Sequence, residues 1–151
     1  MIIYADSSAL AKLLIQEDGS DAIGALVAAA DGLVTVSISR VETFAALAAA
    51  HRDGRLDDAS HAHVKSEAVN LFGGIGLVDI NSALVDRACS LAEQYSLRAY
   101  DSVQLSALLT CGPDDLTFAC FDGPLTAAAI AEGFAVFPPE GSGEGQHLIQ
   151  N

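Results

Sequence analysis

Short β-prone apolar runs alternate along this chain with longer helical segments, and the first such pair sets the problem for the rest. Ile2, Ile3 and Tyr4 form a strand-like run that Asp6, Ser7 and Ser8 cut off just before Leu10, Leu13 and Leu14 fall at helical spacing. A buried strand therefore runs directly into a helix. Asp6 falls at the strand's carboxyl end, where ligands bind in parallel α/β sheets. Asp and Ser residues at such a junction are also ordinary helix caps, and this stretch alone leaves both roles open.

The alternation continues. Ser20 opens a helix through Ala30, closed near Asp31 and Gly32, and Leu33 to Ser37 reads as a second strand. A third helix begins at Ser39, with an alanine-rich body from Val41 to His51 that lets neighbouring helices approach closely, and Asp53-Gly54 ends it. A fourth helix runs from about Asp57 to Phe72. Gly73, Gly74 and Gly76 bracket a weak strand from Ile75 to Val78, and a helix from Asn81 or Ser82 reaches Tyr95. Tyr100 to Thr110 is helical, Thr117 to Phe121 a strand, Leu125 to Glu132 a short helix, and Phe134 to Phe137 a last strand stopped by Pro138 and Pro139. This order predicts a mostly parallel α/β sheet of about five strands with helices on both faces. Residues 1–139 form the expected domain, and 140–151, rich in Gly, Ser, Glu and Gln, the expected disordered tail.

Half of the residues are apolar, enough for a core without disulfides, and the three cysteines show no CxxC or CxxH spacing. No cleavable signal peptide precedes the first strand, and the apolar stretch Ala22 to Ala30 is too short to span a bilayer. A reduced, cytoplasmic protein without a membrane partner is the simplest expectation. The 20 Asp and Glu against 7 Lys and Arg argue against general affinity for a polyanion, which needs clustered positive charge. Two arrangements meet that objection: carboxylates that bind divalent cations and so reverse the local sign, or a basic partner over the acidic surface. The sequence holds no internal repeat, GxGxxG or Walker loop, which removes the common nucleotide-binding explanations.

Four acidic residues occupy related places: Asp6 after the first strand, Glu42 in the first turn of the third helix, Asp101 at the start of the Tyr100 helix, and Asp122 after the fourth strand. Each has an ordinary structural role available. Ser39 and Glu42 spell a capping box, Asp101 and Gln104 resemble one, and Asp122-Gly123 reads as a turn. Helical spacing argues for more. Asp101 shares a face with Leu105 and Leu108, and Glu42 with Ala45, Ala46 and Ala49, so both carboxylates border packed faces. Carboxylates buried together are costly unless a cation joins them, so convergence predicts a metal. Oxygen ligands without neighbouring His or Cys favour Mg²⁺ or Mn²⁺ over zinc, as one ion or two. Ser8 is placed to hydrogen-bond a metal-bound carboxylate and fix its orientation, which leaves Ser7 as the plain cap. His61 and His63, two apart on a helix, make a poor metal pair, and Tyr100 is expected to pack rather than to stack on a base.

The pattern resembles the PIN domain, and within it the VapC-type toxins of bacterial toxin-antitoxin pairs. The matching stretches are YADSSALAK at Tyr4 to Lys12, SRVETFAAL at Ser39 to Leu47, LRAYDSVQLSAL at Leu97 to Leu108, and FD-x-x-L at Phe121 to Leu125. The resemblance implies a sheet in the order 3-2-1-4-5, with Asp6 and Asp122 on adjacent strands. It also implies that Asp6, Glu42, Asp101 and Asp122 form an acidic quartet binding Mg²⁺ or Mn²⁺ for ribonuclease activity, with Ser8 at the family's usual Ser or Asn position. Its further implications are an RNA substrate, an antitoxin partner that covers the site, and a homodimer. Cys120 departs from the Thr or Ser that many members carry there. Lys12, Arg40, Arg52, Arg55 and Arg98 are the plausible phosphate contacts near these motifs. The alternative is a PIN-fold binding module with little turnover that sequesters a basic antitoxin or RNA. Phosphatase chemistry at Asp6 is disfavoured, because a haloacid-dehalogenase-like site wants a second Asp where this chain has Ser8.

Overall fold

A computed structural model describes residues 1–139, so the expected tail lies outside the described residues. In chain order the elements are β1 (Ile2–Ala5), α1 (Ser7–Leu14), α2 (Ser20–Ala28), β2 (Gly32–Val36), α3 (Ile38–Arg52), α4 (Asp58–Gly74), β3 (Gly76–Val78), α5 (Ser82–Tyr95), α6 (Ala99–Cys111), β4 (Leu116–Ala119), α7 (Gly123–Ala131) and β5 (Ala135–Phe137). The strands pair in parallel as one five-stranded sheet in the order β3-β2-β1-β4-β5, as the family resemblance implies.

β1 lies at the centre of that order, and its alternating side chains seed two cores. Tyr4 points into a cluster with Phe118, Leu105, Leu108, Leu125 and Phe134, packed by α5, α6 and α7. Ile3 and Ala5 point into the opposite one, with Leu10, Ile23, Phe72 and Ala119, packed by α1 and α2. The Tyr4 and Phe118 rings meet edge to face at 5.7 Å, a favoured geometry for aromatic pairs. Leu47, Val64 and Ala68 form a smaller core between α3 and α4. Among the described residues no helix is long and apolar enough to cross a membrane.

Element boundaries differ from the sequence expectations where tertiary contacts outweigh local preference. α4 continues through Gly73 and Gly74, because Phe72 is anchored in the core and holds the last turn against glycine's poor helix propensity. α3 begins at Ile38, with Ser37 at its cap position and no capping side chain, so the Ser39 and Glu42 capping box does not form and Glu42 lies two residues deeper, beyond the first turn. Asp101 does stand in the first turn of α6, but its cap residue is Arg98, again without a capping side chain. Strand four ends at Ala119, which leaves Cys120, Phe121 and Asp122 to make the turn into α7.

One buried polar group in α3 is poorly served. Thr43 is fully buried, and its hydroxyl has no hydrogen-bond partner among the described residues. Thr43→Val replaces that hydroxyl with a methyl of similar size and removes a desolvation cost. It is expected to raise stability by about 1 kcal/mol. A chemical-denaturation midpoint that falls instead shows that the hydroxyl is satisfied in solution.

Candidate active site

Asp6 and Asp122 reach the same end of the sheet because β1 and β4 are neighbours and both chains turn straight into helices there. Each caps the helix that follows. Asp6 Oδ1 accepts from the Ala9 N–H at 2.9 Å, and Asp122 Oδ1 accepts from the Leu125 N–H at 3.0 Å. The cap role that the sequence offers at Asp6 is therefore present, at the carboxyl end of the sheet.

The serines beside Asp6 serve two carboxylates. The Ser8 hydroxyl donates to Asp6 Oδ1 at 2.6 Å and accepts from the Phe121 N–H at 3.1 Å, tying the β1 turn to the β4 turn. Ser7 is not the cap; its side chain stands near Glu42 and helps to hold that carboxyl's pKa down. Cys120 donates its thiol to Asp6 Oδ2 at 3.2 Å, in the place where a hydroxyl was expected and with a weaker donor. Burial, aided by the Asp6 charge, pushes that thiol far above its ordinary range.

Asp6 is only 4 % exposed, and burial raises its carboxyl pKa against the opposing pull of Ser8, Ala9 and Cys120, with Asp122 adding repulsion. Burial also raises Glu42, where Gln104 and Ser7 oppose and Asp6 and Asp101 repel. At Asp101 burial raises the pKa, Asp122 adds to it, and Arg98 offsets part. The four acidic residues thus stand within electrostatic reach of one another although they come from four distant segments. They do not form a finished coordination shell: among the described residues no three His, Cys, Asp or Glu side chains stand in a ligating array. Like charges held this close by separate caps and hydroxyls repel one another.

Asp101 and Asp122 line an open cleft of about 90 Å³ with Ser96, Leu97, Arg98 and Pro124. Arg98 and Arg40 are exposed, whereas Lys12 is engaged, donating to Glu17 Oε1 at 3.1 Å and the Asp18 carbonyl at 2.8 Å and lying over the Phe121 ring. Tyr100 is 58 % exposed, so the expected packing role does not hold. The two histidines of α4 turn to different partners, His61 stacking on His51 and His63 meeting Glu67. Sequence reasoning missed Ser7 and Gln104. The signal for Gln104 was its place among the apolar residues of the face that carries Leu105 and Leu108.

Residues 3–110 match the family model described as PIN domain. Ribonuclease VapC45 of Mycobacterium tuberculosis is 31% identical over 139 residues, which span 92% of this chain and 96% of that protein. Among solved structures, the M. tuberculosis VapC20 toxin, described as cleaving the sarcin-ricin loop, superposes with a TM-score of 0.66 at 18% identity, covering 88% of this chain and 96% of that one. A toxin-antitoxin complex from Klebsiella pneumoniae contains a chain that matches with a TM-score of 0.58 at 15% identity, covering 80% and 86%. With the family model matching most of its length and a VapC relative aligned almost end to end, this chain belongs to the PIN-domain family and to its VapC type.

Proposed function

We propose that this chain is a divalent-metal-dependent endoribonuclease and the toxin of a toxin-antitoxin pair. The observation that carries the reading is the gathering of Asp6, Glu42, Asp101 and Asp122, from four separate segments, at the carboxyl end of one parallel sheet with mutual repulsion among them. Relatives known as ribonucleases support the activity, and neighbours solved as toxin-antitoxin complexes support an antitoxin partner.

The donor set fits a hard cation, since it offers carboxylate oxygens and no imidazole. Asp6, Glu42, Asp101 and Asp122 are the residues that would hold Mg²⁺, with Mn²⁺ as substitute. Bound there, the ion supplies positive charge against phosphate oxygens and acidifies water for attack on the phosphodiester. The chain's own residues do the positioning. Ser8 and the Ala9 N–H hold Asp6 in one orientation, and Asp122 is held by its cap bond. Arg98, exposed beside Asp101 at the cleft, is placed to meet a backbone phosphate, and the exposed Tyr100 ring is available to a base.

A net charge of −13 leaves little attraction for RNA away from the site and strong attraction for a basic antitoxin. That complex is expected to weaken with salt. A homodimer completes the reading. Cleavage of single-stranded RNA is expected with Mg²⁺ or Mn²⁺ and to stop in excess chelator. Asp101→Asn is expected to lower the rate on the order of 100-fold with the far-ultraviolet circular dichroism unchanged. Cleavage that persists in chelator or in that variant refutes the metal mechanism.

A further inference from the structure

Behind Glu42 lies a polar network that capping does not explain. Gln104 is 2 % exposed, and its Oε1 accepts from the Tyr4 hydroxyl at 3.0 Å. Its Nε2 donates to Ser39 Oγ at 2.8 Å and to Glu42 Oε2 at 3.3 Å. Ser39 Oγ in turn accepts from the Thr35 hydroxyl at 2.8 Å. An ionised carboxylate only accepts, so the amide must turn Nε2 toward Glu42, and both hydrogens of that nitrogen are then used. Tyr4, Thr35 and Ser39 are wholly buried. Apolar side chains would fill this space without the desolvation that two hydroxyls, a phenol and an amide incur.

The network also has a telling address. Tyr4 lies on β1, which leads directly into Asp6, Ser39 precedes Glu42 on α3, and Gln104 follows Asp101 on α6, so one amide joins the segments that position three of the acidic residues. A fully satisfied buried network holds a single arrangement, because every alternative leaves a polar atom without a partner. Among the described residues, Gln104 Nε2 is the side-chain donor found within hydrogen-bond distance of the Glu42 carboxylate.

We propose that Gln104 is a positioning residue, held by Tyr4 and Ser39 so that its Nε2 fixes the Glu42 carboxylate and thereby sets how well the acidic site takes up a divalent cation. This rests on Glu42 being a site carboxylate, as in the proposed function. Gln104 touches Glu42 and acts through it.

The test is a double-mutant cycle on the full chain, read as Mn²⁺ affinity by electron paramagnetic resonance of the free ion, with RNA cleavage rate and unfolding midpoint alongside. Gln104→Met, which keeps the length and loses the donors, is expected to weaken Mn²⁺ binding on the order of 10- to 100-fold. Added to Glu42→Gln, it is expected to cost nothing further. Tyr4→Phe frees the amide to turn over and is expected to weaken Mn²⁺ binding several-fold in the Glu42 background only. It decides the question if Gln104→Met does not fold. Equal losses with and without Glu42 show a merely structural role and overturn the proposal, as does unchanged Mn²⁺ affinity in Gln104→Met. If Glu42→Gln itself changes neither Mn²⁺ binding nor cleavage, Glu42 leaves the proposed site and this inference falls with it. If Glu42→Gln weakens both and Gln104→Met weakens neither, only the inference falls.

Discussion

Asp6→Asn is expected to give a protein that folds at least as well as the parent and cleaves RNA on the order of 100-fold more slowly or worse. The two halves of this result come from one side chain. Asn caps a helix about as well as Asp, so the bond from the Ala9 N–H survives, and the Ser8 hydroxyl still finds an oxygen to donate to. The new amide nitrogen stands where Oδ2 accepts from the Cys120 thiol, and sulfur is a tolerable, weak acceptor for it. Removing the charge relieves a carboxylate that is 4 % exposed and repelled by Asp122. A cation, by contrast, loses the most buried of its proposed oxygen ligands. Since loss of a residue that merely orients a ligand costs about 10- to 100-fold, loss of the ligand itself belongs at or beyond the top of that range. Initial rates with Mg²⁺ and thermal midpoints from the same preparations check both halves. An active Asp6→Asn enzyme refutes the assignment, and an inactive one that has also lost its fold shows that the cap, and not the charge, was removed.

The chain's alternation of strand and helix was plain in its residues because the central strands β1 and β4 are largely buried and read as short apolar runs, whereas the exposed β3 gave a weaker signal. The sheet order came from the family resemblance. Boundaries went astray where a distant contact held a turn that local chemistry disfavours, as Phe72 does for Gly73 and Gly74. The acidic residues were legible as positions. What was not legible is which neighbour each one engages. Ser7 and Ser8 are chemically identical and adjacent, yet one faces Glu42 and the other Asp6, because α1 turns them by about 100° relative to each other. Gln104 looked like half of a capping box, and only the packing of α6 against β2 and α3 reveals it as a buried linker. Side-chain partners across elements are tertiary facts, and a polar residue inside an apolar helical face is the one local hint of them.

The metal-free protein is expected to become less stable as pH rises above the ordinary carboxylate values toward neutrality, and a divalent cation is expected to reverse that trend. Burial raises Asp6, Glu42 and Asp101 above their ordinary values of 3.8, 4.5 and 3.8 in the folded state. Above those values the folded chain holds more protons than the unfolded one. Stability from these groups is therefore complete below the ordinary values and is lost as pH rises through the raised ones. Other groups act with the opposite sign: His61 is lowered from 6.5, so its contribution is lost as pH falls, and Asp57, lowered from 3.8, acts only in stronger acid. Comparing the parent with Asp6→Asn cancels them, and the difference in slope belongs to Asp6 and its neighbours. Mn²⁺ binds the deprotonated carboxylates, so its stabilisation grows as pH rises; at 100 times its Kd it is worth about 2.7 kcal/mol. Urea midpoints measured with and without Mn²⁺ across this range decide the matter. A parent whose metal-free slope equals that of Asp6→Asn, or whose midpoint ignores Mn²⁺ at neutral pH, does not carry a site in which buried carboxylates await a cation.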